Sequence, residues 1–252
     1  MVSELLERPS EPSPRPRVTL HFAQSLDGRI ATRARSGCWL SGPLATRFAH
    51  ELRASSSAVI VGSGTAIADD PLLTVRHVDG PHPTRVVLDA RARVPARARL
   101  FTDRTAPTIH ATCIGVNVGV DLPHVERWLL PHGPSGEGVD LAALLARLAR
   151  AGARSVLVEG GSRVLTSFLR ARLVDRVIMS VAPLVLGSGV DAIGDLEVDR
   201  LEQALHFSTE RVYRLGDDVM IELTPQREDT KSAMTRETID ARDAEGALEA
   251  DA

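Results

Sequence analysis

Two short stretches of the sequence combine glycine turns with charged side chains, a combination that suits a small anionic ligand. In the first stretch, the apolar run Val59–Val61 ends in the glycine turn Gly62–Thr65, and Asp69, Asp70 and Arg76 follow. Such a turn exposes backbone N–H groups to a phosphate or a ring edge, and a guanidinium can bind the same anion. The stretch predicts a site for a ligand that is polar, partly flat and anionic at one end. Taken alone, it is equally consistent with an ordinary tight turn followed by a helix stop.

The second stretch repeats the same arrangement later in the chain. The apolar run Val156–Val158 is followed by Glu159, Gly160 and Gly161, and the spacing of the next apolar residues predicts a helix with Ser162 as its N-cap. The first turn of a helix offers free N–H groups and a favourable dipole, so this one is a candidate phosphate site. A carboxylate such as Glu159 at the end of a buried strand requires a partner.

The elements that must position these residues are short strands alternating with helices. Apolar runs and alternating patterns predict strands over residues 18–22, 59–61, 85–88, 109–114, 125–130, 156–158, 177–181 and 219–223. Helical spacing predicts helices from Pro43 to near Arg53, over 139–150 and after 162. This order is typical of an α/β domain with a largely parallel sheet, over residues 18–224. Ligands bind at the carboxyl ends of such strands, so we expect Asp69, Asp89 and Glu159 to cluster at that edge.

Composition excludes several classes of protein. With 43% hydrophobic residues, 3% aromatic residues and a formal charge of −3, the chain lacks the basic excess and the stacking platforms of nucleic-acid-binding proteins. Cys38 and Cys113 lie far apart, which argues against a disulfide framework or a zinc knuckle. No apolar run has the length of a membrane span or the position of a signal peptide. We therefore expect a cytoplasmic protein that binds neither nucleic acid nor membranes.

Histidine spacing and the terminal segments carry no predicted chemistry. No HxxxH or HExxH spacing occurs, so no metal site is predicted and the histidines are interpreted as ordinary polar residues: His21, His50, His77, His82, His110, His124, His132 and His206. Residues 1–17 are rich in proline and charge and are predicted to be a disordered arm. Residues 225–252 alternate charges with Ala and Thr and are predicted to be a charged tail.

Five motifs, in this order, resemble one family. They are VTLHFAQSLDGRIA, GCWLS, LRASSSAVIVGSGTAIADDPLLTVR, RVVLDARARV and VLVEGGSRVLTSFLRARLVDRVIMSVAPLVLG. They resemble the reductase domain of the bacterial bifunctional riboflavin biosynthesis protein and the related stand-alone archaeal and fungal pyrimidine reductases. The PCxxC motif of the family's zinc deaminase domain is absent, so no deaminase is expected. The resemblance implies a dihydrofolate-reductase-like fold and a homodimer. It also implies NADPH-dependent reduction of the ribose of an aminopyrimidine ribosyl phosphate to a ribityl unit.

The resemblance also implies roles for individual residues. The predicted substrate-binding residues are Arg53, Leu72, Leu73, Arg76 and Glu159. The predicted NADPH-binding residues are Ala23, Trp39, Gly62, Thr65, Asp69, Gly160, Gly161, Ser162, Arg163, Val164 and Leu165, with the pyrophosphate at the turn that runs from Gly161 to Ser167. Either Asp69 or Glu159 could relay the proton or position a water molecule, and the sequence leaves that choice open.

Several positions differ from the family pattern. His21 replaces a frequent Lys, Gly37 replaces a substrate-contacting Ser, Ser57 replaces a frequent Asp, and Ala90 replaces a Ser that contacts NADP. Either Arg91 or Arg93 could bind the 2′-phosphate instead. The differences leave open a reductase of the same fold that acts on another pterin, folate or pyrimidine-derived metabolite. A third hypothesis is a non-catalytic nucleotide-binding protein.

Overall fold

A computed structural model describes residues 14–34, 40–117 and 122–226 of the chain. The strands of the described residues are β1 (Arg17–Ser25), β2 (Arg29–Ala31), β3 (Ala58–Gly62), β4 (Thr84–Leu88), β5 (Thr108–Cys113), β6 (Val125–Leu130), β7 (Ser155–Val158), β8 (Arg176–Ala182), β9 (Val190–Asp191), β10 (Phe207–Leu215) and β11 (Asp218–Pro225). The helices are α1 (Pro43–Ala54), α2 (Ser63–Ala68), α3 (Arg99–Thr102), α4 (Leu141–Arg150) and α5 (Ser162–Arg170), with a 3-10 turn at Leu201–Gln203.

Nine of these strands form one sheet in the order β10-β11-β8-β1-β7-β3-β4-β5-β6, and β2 pairs with β9 separately. All neighbours from β8 to β6 are parallel, whereas β11 is antiparallel to both β8 and β10. Every residue of β3 is buried, as expected for a central strand with helices on both sides. The predicted α/β fold with a largely parallel sheet is therefore confirmed.

Two hydrophobic clusters cover the two faces of the sheet. On one face, α1, α2 and α3 pack against strand residues of β3, β4 and β7; the cluster includes Phe48, Leu52, Val59, Val61, Val87, Phe101 and Leu157. On the other face lie α4 and α5, and this cluster includes Leu20, Ile60, Val86, Leu144, Leu148, Val158, Leu165 and Phe168. The packing fixes the sheet, so the side chains at its carboxyl edge have defined positions.

Most predicted elements are present, and the differences have physical causes. Helix α4 has Asp140 as its N-cap, and the Asp140 carboxylate accepts from the N–H of Ala143 at 2.9 Å. Gly152 follows the helix with a φ of +88°. Strand β10 was not predicted, because it is largely exposed and its charged residues interrupt any apolar run. The prediction that Ser162 caps α5 is wrong: Gly161 is the N-cap, and Ser162 is the first helical residue.

Asp27 and Gly28 form the turn between β1 and β2. Gly28 has a φ of +76°, a conformation that favours glycine. The Asp27 carboxylate accepts from the Ser25 hydroxyl at 2.6 Å and from the N–H groups of Leu186 and Gly187 at 3.0 and 2.8 Å. These hydrogen bonds lower the pKa of Asp27 to about 2. Asp27 therefore ties the end of β1 to the loop that follows β8.

Some sequence predictions fall outside the described residues. They concern Trp39, Gly37 and Cys38, as well as residues 1–13 of the arm and 227–252 of the tail. In the ranges that the structure does describe, none of the helices is both long and apolar enough to cross a membrane. The same ranges contain no group of three or more His, Cys, Asp or Glu side chains that could hold a metal ion.

Candidate active site

Three acidic residues follow three neighbouring strands at the carboxyl edge of the sheet, as the sequence predicts. Glu159 follows β7, Asp69 follows β3 and the short helix α2, and Asp89 follows β4. Their environments differ. Asp69 is exposed, whereas Asp89 is fully buried and Glu159 is nearly so.

Glu159 and Arg53 form a buried ion pair at the centre of this edge. Arg53 Nε donates to Glu159 Oε1, and Arg53 Nη2 donates to Oε2, both at 2.7 Å. The Arg53 and Glu159 side chains are only 8% and 10% exposed. Burial opposes ionisation of Glu159, but the charge and hydrogen bonds of Arg53 outweigh it and lower the pKa of the carboxyl. Glu159 is therefore ionised, and both of its oxygens are occupied by Arg53.

Two histidines lie beside this ion pair. His21 on β1 follows Leu20, which is in register with Val158, so His21 is level with Glu159. Burial lowers the pKa of His21, Glu159 raises it, and Arg53 lowers it further; the net shift is downward. His50 is 1% exposed, and burial together with the charges of Arg53 and Arg76 lowers its pKa to about 4. Both rings are therefore neutral at physiological pH.

Arg76 is exposed at the end of an irregular segment that begins at Asp69. Its Nη1 donates to the Thr74 hydroxyl at 2.9 Å, and its backbone N–H donates to His50 Nδ1 at 3.0 Å. Burial and the charges of Arg53 and Arg99 lower the pKa of Arg76, which indicates a positive potential around it. This potential and the exposed guanidinium suit an anion such as a phosphate.

The two leucines of this segment have different environments. Leu72 is half-buried, and its carbonyl accepts from Arg85 Nη1 at 3.2 Å. Leu73 has a φ of +54° and is 3% exposed, because its side chain packs into the core beneath α1 and α3. Leu72 is thus the more accessible of the two for a ligand.

The start of α5 lies beside the start of α2. The N–H of Gly161 donates to the Thr65 hydroxyl at 2.9 Å, so Thr65 joins the two turns. Among the described residues, no side chain caps α5. The N–H groups of Ser162 and Arg163, in the first turn, have no acceptor within the helix and suit an anionic group.

Close packing explains the two glycines that end β3 and precede α5. A Cβ atom on Gly62 would lie 2.7 Å from Val164 Cγ2, and one on Gly160 would lie 2.7 Å from Val164 Cβ. Leu165 is fully buried, so neither its side chain nor its backbone is accessible to a ligand in this structure. Four residues therefore pack α5 against the sheet: Gly62, Gly160, Val164 and Leu165.

Asp89 lies at the same edge but has its own partners. Its Oδ2 accepts from the Val94 N–H at 2.8 Å and lies 3.1 Å from His110 Nε2. Burial opposes ionisation, but the hydrogen bonds lower the pKa of Asp89. In the next turn, Arg93 donates from Nη2 to the Ser63 hydroxyl at 2.8 Å and remains exposed.

The structure therefore brings together most of the predicted site. Arg53 is paired with Glu159, and the Arg76 N–H is bonded to His50 on the same helix as Arg53. Nearby, the Thr65 hydroxyl is bonded to Gly161 at the first turn of α5. Ala23 lies half-buried on β1, two residues after His21. The contact of His50 with the Arg76 segment was not predicted, although its spacing of three from Arg53 puts both side chains on one face of α1.

A family model described as the RibD C-terminal domain matches residues 16–221. The chain is 38% identical over 219 residues to the 2,5-diamino-6-ribosylamino-4(3H)-pyrimidinone 5′-phosphate reductase of Methanothermobacter thermautotrophicus, and the match covers 83% of this chain and 98% of that protein. It is also 37% identical over 210 residues to the riboflavin biosynthesis protein RibD of Aquifex aeolicus, covering 82% of this chain and 57% of that protein. The chain thus spans a little over half the length of the RibD relative but nearly all of the archaeal one.

Solved structures give the same result. Acinetobacter baumannii RibD has a TM-score of 0.72 with 31% identity, and the match covers 85% of this chain and 59% of that chain. The Saccharomyces cerevisiae riboflavin biosynthesis reductase Rib7 has a TM-score of 0.70 with 25% identity, covering 86% of this chain and 93% of that chain. The chain belongs to the RibD C-terminal domain family.

Proposed function

We propose that this chain is an NADPH-dependent oxidoreductase that reduces the ribose of an aminopyrimidine ribosyl 5′-phosphate to a ribityl unit in riboflavin biosynthesis. The observation that carries this proposal is the placement of two anion sites at one edge of the sheet, with a buried ion pair beside one of them. Arg76 is one anion site, and the first turn of α5 is the other. A phosphorylated substrate and a dinucleotide need two such sites close together.

The substrate end of the site is the Arg76 segment. Its exposed guanidinium would hold the phosphate, and Leu72 would contact the ribose chain. Arg53 adds positive charge behind Arg76, but its Nε and Nη2 donate to Glu159. Because Glu159 compensates the charge of Arg53, Arg53 would contribute to phosphate binding mainly by positioning, whereas Arg76 would make the direct contact.

The cofactor end would follow four neighbouring strands. From β1 through β7 and β3 to β4 the sheet spans about 14 Å, given a spacing of ~4.8 Å between strands. A dinucleotide of this length would have its nicotinamide near Ala23, its pyrophosphate at the first turn of α5 and its adenosine near β4. Thr65 and Asp69 follow β3, on the other side of β7 from Ala23, and the Thr65 hydroxyl accepts from the N–H of Gly161 at the start of α5. Arg93, docked on Ser63, would select NADPH by binding the 2′-phosphate, and Arg91 is the alternative.

The protein's own groups would orient the reactants and manage one proton. When bound, the nicotinamide supplies the hydride. Glu159 is ionised and saturated by Arg53, so it suits electrostatic orientation of the substrate more than proton transfer. Asp69 is exposed at the end of α2 and is the better candidate to hold the proton or a water molecule. Replacing Asp69 by Asn is therefore expected to lower kcat, with less effect on the KM of the pyrimidine.

The test is NADPH oxidation by the purified chain with three compounds. These are 5-amino-6-(5-phosphoribosylamino)uracil, its 2,5-diaminopyrimidinone counterpart and dihydrofolate. Mass spectrometry of the product should show a gain of two hydrogens. Turnover of either pyrimidine, with a KM raised by Arg76→Ala and an unchanged Kd for NADPH, would support the proposal.

Other outcomes separate the alternatives. Turnover of dihydrofolate alone would favour a reductase of the same fold with another substrate, an alternative motivated by the differences from the family pattern at His21, Gly37 and Ala90. Tight NADPH binding without turnover of any compound would favour a nucleotide-binding protein. A chain that binds no NADPH would refute the proposal.

We also propose that the chain forms a cytoplasmic homodimer through the face of the sheet that Val212 occupies. Val212 is in register with Ile221, Ile221 with Met179, and Met179 with Phe22, so one apolar row crosses four strands. Val212 is 60% exposed, and Val219 on the same face is 39% exposed. A second copy would cover this row by the self-complementary contact of a two-fold axis.

A further inference from the structure

The last turn of α1 contacts both parts of the candidate site. Arg53 binds Glu159 with two of its nitrogens and donates from Nη1 to the Thr74 carbonyl at 3.3 Å. His50, one turn earlier on the same face, accepts from the Arg76 N–H at 3.0 Å. One helical turn therefore connects the end of β7 with the segment that carries Arg76.

This segment requires such support, because its backbone is in an unfavourable conformation. Asp70 and Leu73 have φ values of +39° and +54°, in the left-handed region that is unfavourable for residues other than glycine. Residues between Asp69 and Arg76 form no helix or strand. Bonds from elsewhere hold them: the Arg99 N–H donates to Asp70 Oδ1 at 2.7 Å, and the buried Arg85 donates to the Leu72 carbonyl.

The hydrogen bond from Arg76 defines the chemical state of His50. Both ring nitrogens face donors: the Arg76 N–H lies 3.0 Å from Nδ1, and Arg53 Nη1 lies 3.5 Å from Nε2. Nδ1 accepts the shorter bond through its lone pair, so the proton of the neutral ring is on Nε2, which then accepts nothing from Arg53. The ring is 1% exposed, and His77 packs edge-on against it with 4.5 Å between ring centroids. The ring therefore has one orientation and one tautomer, and its burial keeps it away from a bound substrate.

We propose that His50 is a positioning residue, which fixes the backbone of Arg76 through Nδ1 and so sets the place of the Arg76 guanidinium relative to the Glu159–Arg53 pair. The inference rests on the proposed function, since it assumes that Arg76 binds the substrate phosphate. The tautomer of His50 and its hydrogen bond to the Arg76 N–H can be tested without any substrate.

The first experiment compares three substitutions of His50. Asn can offer its side-chain oxygen near the position of Nδ1, Leu removes the acceptor, and Gln places its oxygen nearer the position of Nε2. We expect His50→Leu and His50→Gln to raise the KM for the pyrimidine phosphate roughly tenfold, and His50→Asn to remain within about threefold of the native chain. The Kd for NADPH, measured by titration calorimetry, should be the same in all four proteins, because the contacts described for His50 are to Arg53, Arg76 and His77, away from the first turn of α5.

Two readouts do not depend on turnover. Nitrogen-15 NMR of labelled histidine should show an unprotonated Nδ1 and a protonated Nε2 for His50. Calorimetry with ribose 5-phosphate as the probe should show weaker binding in His50→Leu and none in Arg76→Ala.

The outcomes distinguish this proposal from the proposed function. A protonated Nδ1, or equal KM and probe affinity in folded His50→Leu and His50→Asn proteins, would overturn the role of His50. If no pyrimidine is reduced, but the tautomer is as stated and probe binding depends on His50, the positioning role stands and the proposed reaction fails. If His50→Leu does not fold, the role of His50 is tested by the NMR result on its tautomer and by the KM of the His50→Gln variant.

Discussion

At the scale of single residues, the Glu159–Arg53 pair dominates the electrostatics of the site. Each charge is nearly buried and is compensated by the other. A buried pair of this kind contributes little net stability compared with apolar residues, yet loss of one member leaves an uncompensated charge. The pair therefore fixes the relative positions of Arg53 and Glu159. The free energy of unfolding falls when only one of the two charges is removed.

Arg53→Met should destabilise the protein by about 3–5 kcal/mol, because it leaves the Glu159 carboxylate buried without its partner. Urea unfolding of the native and variant chains measures this change. In the double variant Arg53→Met with Glu159→Leu, most of the stability should return while the reductase activity does not. A single variant as stable as the native chain would show that water reaches Glu159.

His50 predicts how stability depends on pH. Its pKa is about 4 in the folded chain, below the usual value of 6.5, so the unfolded chain binds a proton first as the pH falls. The stability that the neutral ring provides is thus complete above pH 6.5 and is lost progressively as the pH falls towards 4. The charged or titratable groups around the ring are Arg53, Arg76, His77 and Glu159.

Thermal unfolding between pH 7 and pH 4 would test this dependence. The native chain should lose more stability over this range than His50→Asn, which has no ring to protonate. Equal losses in the two proteins would contradict the assignment of the acid sensitivity to His50.

At the scale of elements, the contact between α5 and the sheet depends on two glycines. Gly160→Ala should cost roughly 1–3 kcal/mol, because the new Cβ would lie 2.7 Å from Val164 Cβ. Gly64→Ala is a matched control, since nothing lies within 4 Å of its Cβ position. Urea unfolding should also show that Val164→Ala, which removes Cγ2, reduces the cost of Gly62→Ala in the double variant, because a Cβ on Gly62 would lie 2.7 Å from that atom. Additive effects would indicate that the strain is relieved elsewhere.

The elements show which features residue patterns can predict. Continuous apolar runs identify β3, β4 and β7, because buried parallel strands need apolar side chains on both faces. The largely exposed β10 has no such run. The packing of Val164 on two glycines, and the pairing of Arg53 with Glu159, are contacts between distant segments, so spacing along the chain contains no signal for them. Motifs could identify those residues as important but could not assign their partners.

At the scale of the whole molecule, the apolar row that ends at Val212 predicts the oligomeric state. Light scattering should give the mass of a dimer for the native chain and of a monomer for Val212→Asp, because a carboxylate would be buried without a partner in the interface. Leu129→Asp is the control: Leu129 is 46% exposed and lies on β6, at the opposite edge of the sheet. If Leu129→Asp were a monomer and Val212→Asp a dimer, the interface would instead lie at the β6 edge of the sheet.

The position of β1 in the sheet also affects how the chain can fold during synthesis. This strand is made first, yet its two neighbours are β7, which begins at Ser155, and β8, which ends at Ala182. Most of the protein must therefore leave the ribosome before β1 has any partner, and such non-local pairing slows folding. Until then its apolar residues remain exposed to other chains, so a ribosome that stalls before β7 would release an aggregation-prone fragment.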